Sequence, residues 1–189
     1  MNGILEELKE MLERVALQYP LLPGLVYRSP YDFVLQHGVE YAGPWDKTMP
    51  IGVQKQCYAN AITYGVLRDL KYIEGFAVAP DGQVILHGWN AGPRGELIDV
   101  TWANTGLCYF GVEFSIERAD DATWNGDAHV LNDENRGYPL FQQRWPGENY
   151  SLPWPYSDRL ECLREHKRTG SKKYTPPPTV VAWLEGRET

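Results

Sequence analysis

Cysteine is scarce in this sequence, long apolar runs are absent and basic charge is in deficit. Each shortage closes off a class of protein. Only three cysteines occur, at positions 57, 108 and 162. An odd, widely spaced set does not make a disulfide framework. It suits a reducing cytosolic setting with at least one thiol free to react. No apolar stretch approaches the roughly 20 residues that cross a bilayer. Residues 1–19 lack the basic start and apolar run of a signal peptide. The expectation is a soluble cytoplasmic protein with no membrane partner. Lysine and arginine total 18 against 25 acidic residues, a net charge of −7. That balance opposes a nucleic-acid backbone binder. The basic run of Lys167, Arg168, Lys172 and Lys173 reads as solvated tail charge.

What is present suffices for a folded core. Hydrophobic residues make up 43 % of the 189 positions, which excludes a wholly disordered chain. The length fits one compact domain over 1–168, with a Pro-containing tail over 169–189 that carries three consecutive prolines. Within that tail, residues 180–184 offer an apolar patch for docking back or for contact with a partner.

Periodicity assigns the elements. Ile4, Leu5, Leu8, Met11, Leu12, Val15, Ala16 and Tyr19 recur at helical spacing, which predicts an amphipathic helix over 3–19 with Asn2 as its N-cap. Pro20 and Pro23 stop it. Residues 21–56 read as an irregular covering segment with one short helix near 31–37. A second long helix is predicted over 57–70, burying Ala61, Ile62, Val66, Leu67 and Leu70. Gly65 inside it costs about 1 kcal/mol relative to alanine, so it marks close packing. The pattern then changes to strands over 72–79, 84–90, 96–102 and 107–114, with Pro80-Asp81-Gly82 and Gly92-Pro93-Arg94-Gly95 as antiparallel turns. Residues 115–157 are read as irregular, and the acidic pairs Asp120-Asp121 and Asp133-Glu134 as solvated loops without the alternation of a calcium site. A last helix is predicted over 157–167, capped by Asp158.

Against this background Cys57 stands where a helical pattern begins. A helix start offers oriented N–H groups that favour a thiolate and that meet a developing oxyanion. A thiolate nucleophile needs a base and a group to orient that base. His87 lies in one predicted strand and Asp99 in the next. With the turn centred near 93, the two are cross-strand neighbours on one face, and Ile85, Trp89 and Leu97 share it. Packing the Cys57 helix across that face completes a triad. Each residue alone has an ordinary structural reading, as a buried thiol, a hydrogen-bonded histidine or a strand end; the conjunction points to catalysis.

At this point the chain resembles the transglutaminase-like, papain-like superfamily of cysteine enzymes. The residues that carry the resemblance are Cys57-Tyr58-Ala59-Asn60-Ala61, Tyr72-Ile73-Glu74-Gly75-Phe76-Ala77, His87-Gly88-Trp89-Asn90 and Ile98-Asp99-Val100-Thr101-Trp102. They span about residues 50–115. The resemblance implies an α+β fold with the nucleophile helix packed on an antiparallel sheet. It further implies Cys57 as nucleophile, His87 as base and Asp99 as orienting acid. Papain-type enzymes hold an oxyanion-hole glutamine several residues before the cysteine; Gln54 and Gln56 are the candidates here, though neither is at that distance. Trp89, Trp102, Tyr109 and Phe110 are candidates for a substrate groove, with core packing as the alternative. Glu74 reads as an exposed strand charge, with a hydrogen bond near the site as the alternative. Cys108 and Cys162 lack triad partners and read as structural.

The expected chemistry is thiol-dependent acyl transfer from an amide or ester. Water as acceptor makes a peptidase, amidase or deamidase acting on a protein, peptide or small amide. Alternatives remain open at this stage: an acyltransferase of transglutaminase or N-acetyltransferase type, or a non-catalytic interaction module that kept the fold. No cofactor is expected. A zinc site from Cys57, His87 and Cys108 lacks close-spaced ligand pairs.

Overall fold

The computed structural model describes residues 2–42, 52–124, 129–134, 137–142, 144–145 and 158–170. Helix α1 (Asn2–Ala16) buries Leu5, Leu8, Leu12 and Ala16 along one stripe. It ends three residues before the predicted boundary. Gln18 and Tyr19 instead donate to the carbonyls of Val15 and Ala16 at 3.0 and 3.1 Å, the tighter winding common at helix ends. The side chain of Asn2, the predicted cap, lies outside the described residues. Helix α2 (Pro30–His37) begins with proline in its first turn, where the missing N–H costs nothing. The Ser29 hydroxyl caps it by accepting from Asp32 N at 3.3 Å.

A short strand β1 (Val39–Glu40) precedes helix α3 (Cys57–Arg68), the centre of the fold. Ala61, Ile62, Val66 and Leu67 are buried as predicted, and Leu70 packs beside them. Asp69 ends the helix in a left-handed conformation, and Leu70 N returns to Gly65 O at 3.1 Å. A Cβ on Gly65 would stand 2.7 Å from Ile116 Cδ1 and 3.4 Å from Asn90 Nδ2, so the predicted close packing is real.

Strands β2 (Lys71–Val78), β3 (Val84–Ala91), β4 (Leu97–Ile98) and β5 (Cys108–Phe114) complete one antiparallel sheet in the order β1-β5-β2-β3-β4. The fourth is the strand that departs most from expectation: only Leu97 and Ile98 pair, with Ala91 and Asn90. Gly95, at φ +84°, closes a three-residue loop that centres the turn on Arg94 rather than Pro93. The register therefore moves by two residues.

The sheet has unlike faces. Tyr72, Phe76, Val78, Phe110 and Val112 meet the helices in the main core, where α3 touches β2 and β3 and α1 and α2 touch β5. The other face carries a smaller cluster of Ile73, Ala77, Trp89, Ala91, Leu97 and Tyr109. The protein is thus a mixed α/β fold, with five α-helices and a five-stranded antiparallel sheet among the described residues. Among those residues no helix is long and apolar enough to cross a membrane.

One helix and two buried aspartates correct the reading of 115–157 as loop. Helix α4 (Ile116–Trp124) follows β5 directly, with Ser115 Oγ accepting from Arg118 N at 3.2 Å. Asp120 is 1 % exposed and Asp133 2 %, so neither acidic pair is a solvated run. The tertiary fold supplies the burial, which local acidity conceals. The last helix, α5 (Asp158–Thr169), runs past the predicted end, and Leu160 and Leu163 join the main core. Lys167 pairs with Asp69 at 2.5 Å rather than standing free. Lys172, Lys173 and the predicted tail segment 180–184 lie outside the described residues.

Candidate active site

The site is assembled at the outer edge of β3. Main-chain pairing alternates along an antiparallel strand. The main-chain N–H and C=O of Asn90 point toward β4, so those of Leu86 and Gly88 point the same way. With β4 limited to two residues, no strand covers β3 from Val84 to Gly88 among the described residues. The start of α3 approaches the strand at Gly88, where a Cβ would stand 3.2 Å from Tyr58 Cα.

Side chains alternate in the same way. Gly88 and Asn90 face α3: a Cβ on Gly88 would stand 2.7 Å from the Tyr58 ring, and Asn90 Nδ2 donates to Ala61 O at 2.8 Å. His87 points to the opposite face, toward Trp89 and Trp102. The helix therefore does not pack across the His87 face, as the sequence suggested. Cys57, its first residue, meets the histidine around the bare strand edge.

His87 Nε2 bonds to Asp99 Oδ2 at 2.8 Å, and both side chains are buried. The predicted contact exists, but not as a directly opposed pair. The observed register places Trp89 opposite residue 99, so His87 and Asp99 are diagonal neighbours on one face. Asp99 has also left the strand. Its Oδ1 accepts from Thr101 N at 2.8 Å and from Trp102 N at 3.3 Å, an Asx turn that fixes the carboxylate. Tyr109 donates its hydroxyl to Oδ2 at 2.9 Å while accepting from Gly106 N at 2.9 Å. Burial, then the charge of Asp99, raise the Tyr109 pKa and hold that proton on the phenol.

The Cys57 thiol lies beside the imidazole in the same cleft and acts on its protonation. With Nε2 committed to Asp99, Nδ1 is the nitrogen left for sulfur. Burial pushes the His87 pKa down, but the hydrogen bonds to Asp99 and Cys57 and their charges outweigh it and raise the value to about 9. The Trp102 ring lies 4.1 Å from the imidazole at 11°, a stacked arrangement that favours the cationic form.

Cys57, His87 and Trp102 line a cleft of about 410 Å³ together with Gln54, Pro80 and Asn104. Of the two glutamine candidates, Gln54 lies in this cleft. Gln56 precedes the helix, makes no side-chain cap and is absent from the lining, because its position before the first turn turns it outward. Trp102 is the groove candidate that lines the cleft. Trp89 is fully buried, crossing the sheet until its ring sits where a Cβ on Gly111 would be. Tyr109 is buried as a partner of Asp99, and Phe110 belongs to the helical face. Cys108 lies on that helical face too, where burial raises its thiol pKa to about 11. Neither it nor any other group of ligand type joins Cys57 and His87 in a metal-ligating cluster among the described residues.

Sequence reasoning missed two supports. Asn60 accepts from Val53 N at 3.1 Å and donates to Val53 O at 2.8 Å and Thr101 Oγ1 at 3.0 Å. One buried amide thereby joins the turn before Cys57 to the loop that carries Asp99. A polar residue one turn along a buried helical stripe was the available signal. Asn60→Ala is expected to cost about 2–3 kcal/mol in urea denaturation, the net worth of three hydrogen bonds. It should also slow alkylation of Cys57, whereas a surface change such as Lys9→Ala should alter neither. Glu74 is the second support. It is fully buried rather than exposed, because the segment over 129–132 folds onto it. It accepts from Val130 N at 3.0 Å and Leu131 N at 3.4 Å and pairs with His129 Nδ1. The His129 ring stacks on Tyr58 at 4.2 Å, so Tyr58 is held between His129 and Gly88 beside the nucleophile.

Comparison with protein-family models, with curated proteins and with solved structures yields no match.

Proposed function

We propose that the chain is a cysteine enzyme of the papain-like, transglutaminase-like kind, acting on an amide or ester through a thioester on Cys57. The observation that carries this reading is that Cys57 and His87 line one open cleft while His87 is hydrogen-bonded to the buried Asp99. Each group is suited to its step. His87 takes the thiol proton, and Asp99 together with Trp102 supports the resulting imidazolium. The Cys57 thiolate adds to the acyl carbonyl, whose oxygen gains negative charge near the Cys57 N–H and the Gln54 amide. Collapse expels the leaving amine or alcohol, which receives the proton from His87. Water, deprotonated by the same imidazole, then releases the acid and restores the thiol.

Hydrolysis needs no site beyond this cleft, and it is the reading we adopt: a peptidase, amidase or deamidase. An amine in place of water would turn the same thioester to transfer. All three cysteines are unbridged, which fits the reducing cytosol. The test is acid-quenched mass spectrometry during reaction with p-nitrophenyl acetate. A burst of nitrophenolate should accompany an acetyl group on the peptide carrying Cys57, and both should vanish in Cys57→Ser. Acetylation spread over lysines and all cysteines, with no burst, would defeat the proposal.

A further inference from the structure

The helical face of the sheet holds a second cavity, which shares one lining residue with the cleft. It measures about 320 Å³, and its walls include Met11, Tyr19, Tyr31, Phe76, Leu86 and Tyr138. Leu86 lines both this cavity and the Cys57 cleft. A cavity of about 150 Å³ with comparable apolar walls takes up a benzene ring, so the space here admits an aromatic group with its linker. The walls are prepared for one. Tyr31 stacks on Phe76 at 4.8 Å and on Tyr19 at 5.9 Å, leaving ring faces and edges around the opening. Tyr19 and Val84 at the rim are 45 % and 36 % exposed. Most of these groups come from α1, α2, the connection between them and residues 132–138, outside the segment over 50–115 that carries the enzyme-like pattern.

The strand between the two cavities has main chain to offer. Leu86 directs its N–H and C=O to the outer edge of β3, which no strand covers among the described residues. Such an edge accepts an extended peptide as an added strand. A residue paired with Leu86 would turn its side chain to the same face as Leu86, toward the second cavity. Its neighbour in the added strand would face the other way, toward His87 and Trp102. An extended polypeptide is therefore the occupant that uses the bare edge and both cavities together.

We propose that the second cavity is a specificity pocket for an aromatic or large apolar side chain of a polypeptide acyl donor. The donor's main chain pairs with Leu86, and the adjacent residue presents its amide to Cys57. This deepens the cysteine-enzyme reading and rests on it.

The test uses affinity alkylators, so that it does not depend on turnover. Iodoacetyl-Phe-Ala-amide and iodoacetyl-Gly-Ala-amide place the side chain after the reactive carbon; acetyl-Phe-Gly and acetyl-Gly-Gly chloromethyl ketones place it before. In one of the two pairs the Phe probe should label Cys57 at least about tenfold faster than the Gly probe, the low end of what burying a phenylalanine yields. Its rate should saturate with concentration. Val15→Trp, which fills the cavity from α1, should remove the preference and leave the Gly probe's rate unchanged. Should that variant misfold by circular dichroism, Tyr31→Ala, which strips an aromatic wall, should weaken saturation in the same direction. Equal Phe and Gly rates in both pairs would overturn the pocket, as would a preference that survives the folded cavity variants. N-phenethyl iodoacetamide carries the ring without the second peptide bond. If it labels Cys57 as fast as the better peptide probe, the main-chain pairing fails. Plain iodoacetamide keeps the two proposals apart: rapid labelling of Cys57 near neutral pH with no Phe preference sinks the pocket alone, whereas labelling no faster than a free thiol sinks the cysteine-enzyme reading.

Discussion

Cys57→Ser is expected to lower acyl-transfer activity by roughly 10⁴-fold or more, the scale on which removal of a triad member acts. The substitution is nearly isosteric at a half-buried position, so the melting temperature should change little. The hydroxyl that replaces the thiol is far less ionised, and the histidine beside it cannot make up the difference. The other cysteines provide the control. Cys108 is buried in the main core on β5 with its pKa raised to about 11, and Cys162 sits on α5. Cys108→Ser and Cys162→Ser should keep turnover of p-nitrophenyl acetate within a few-fold. Equal losses at all three positions would mean that the thiols act through folding, and the assignment of Cys57 would not stand.

The second large effect is on pH. The His87 pKa is raised from 6.5 to about 9 in the folded protein, because its contacts with Asp99 and Cys57 prevail over burial. A histidine that binds its proton more tightly when folded contributes stability that is complete below its unfolded pKa. That contribution is lost as pH rises through the folded value. Folding free energy should therefore decline between about pH 6.5 and 9, by about 3 kcal/mol from this residue. Urea denaturation at several pH values reads the slope, and His87→Ala should flatten it. Asp99→Asn should flatten it in part, since one charge is removed while the Asn side chain can still bond. The cation also acts on the neighbouring sulfur, so the iodoacetamide rate of Cys57 at pH 7 should exceed that in His87→Ala, with Asp99→Asn between the two. Equal rates in all three proteins would leave His87 with no influence on the sulfur.

How far the sequence reaches is clearest in the strands. The Gly-containing turns at 80–82 and 92–95 place β2, β3 and β4 correctly in order, because turn chemistry is local. The register of the second turn was less legible. Gly95 takes a left-handed conformation, and shifting the turn centre by one position moves the pairing by two residues. His87 and Asp99 still share a face, since a shift of two preserves the parity of side chains. The contact survived an incorrect register for that reason.

By itself the sequence determined the elements built from short-range pattern: the amphipathic helices α1 and α3, the helix start at Cys57, the hairpins, and the common face of His87 and Asp99. These depend on periodicity and turn residues within a few positions of one another. Only the tertiary structure decided what surrounds them. It brought Cys57 around the open edge of β3 instead of across the histidine's face, turned Tyr109 toward Asp99 over the small residues Gly75 and Ala77 of β2, and tied Asn60 to Val53 and Thr101. It also buried Glu74 beneath the backbone of residues 130 and 131, 56 and 57 positions away. A carboxylate has the same composition in solvent or in a core; its environment is set by the chain that folds over it, and local pattern holds no record of partners so distant in sequence.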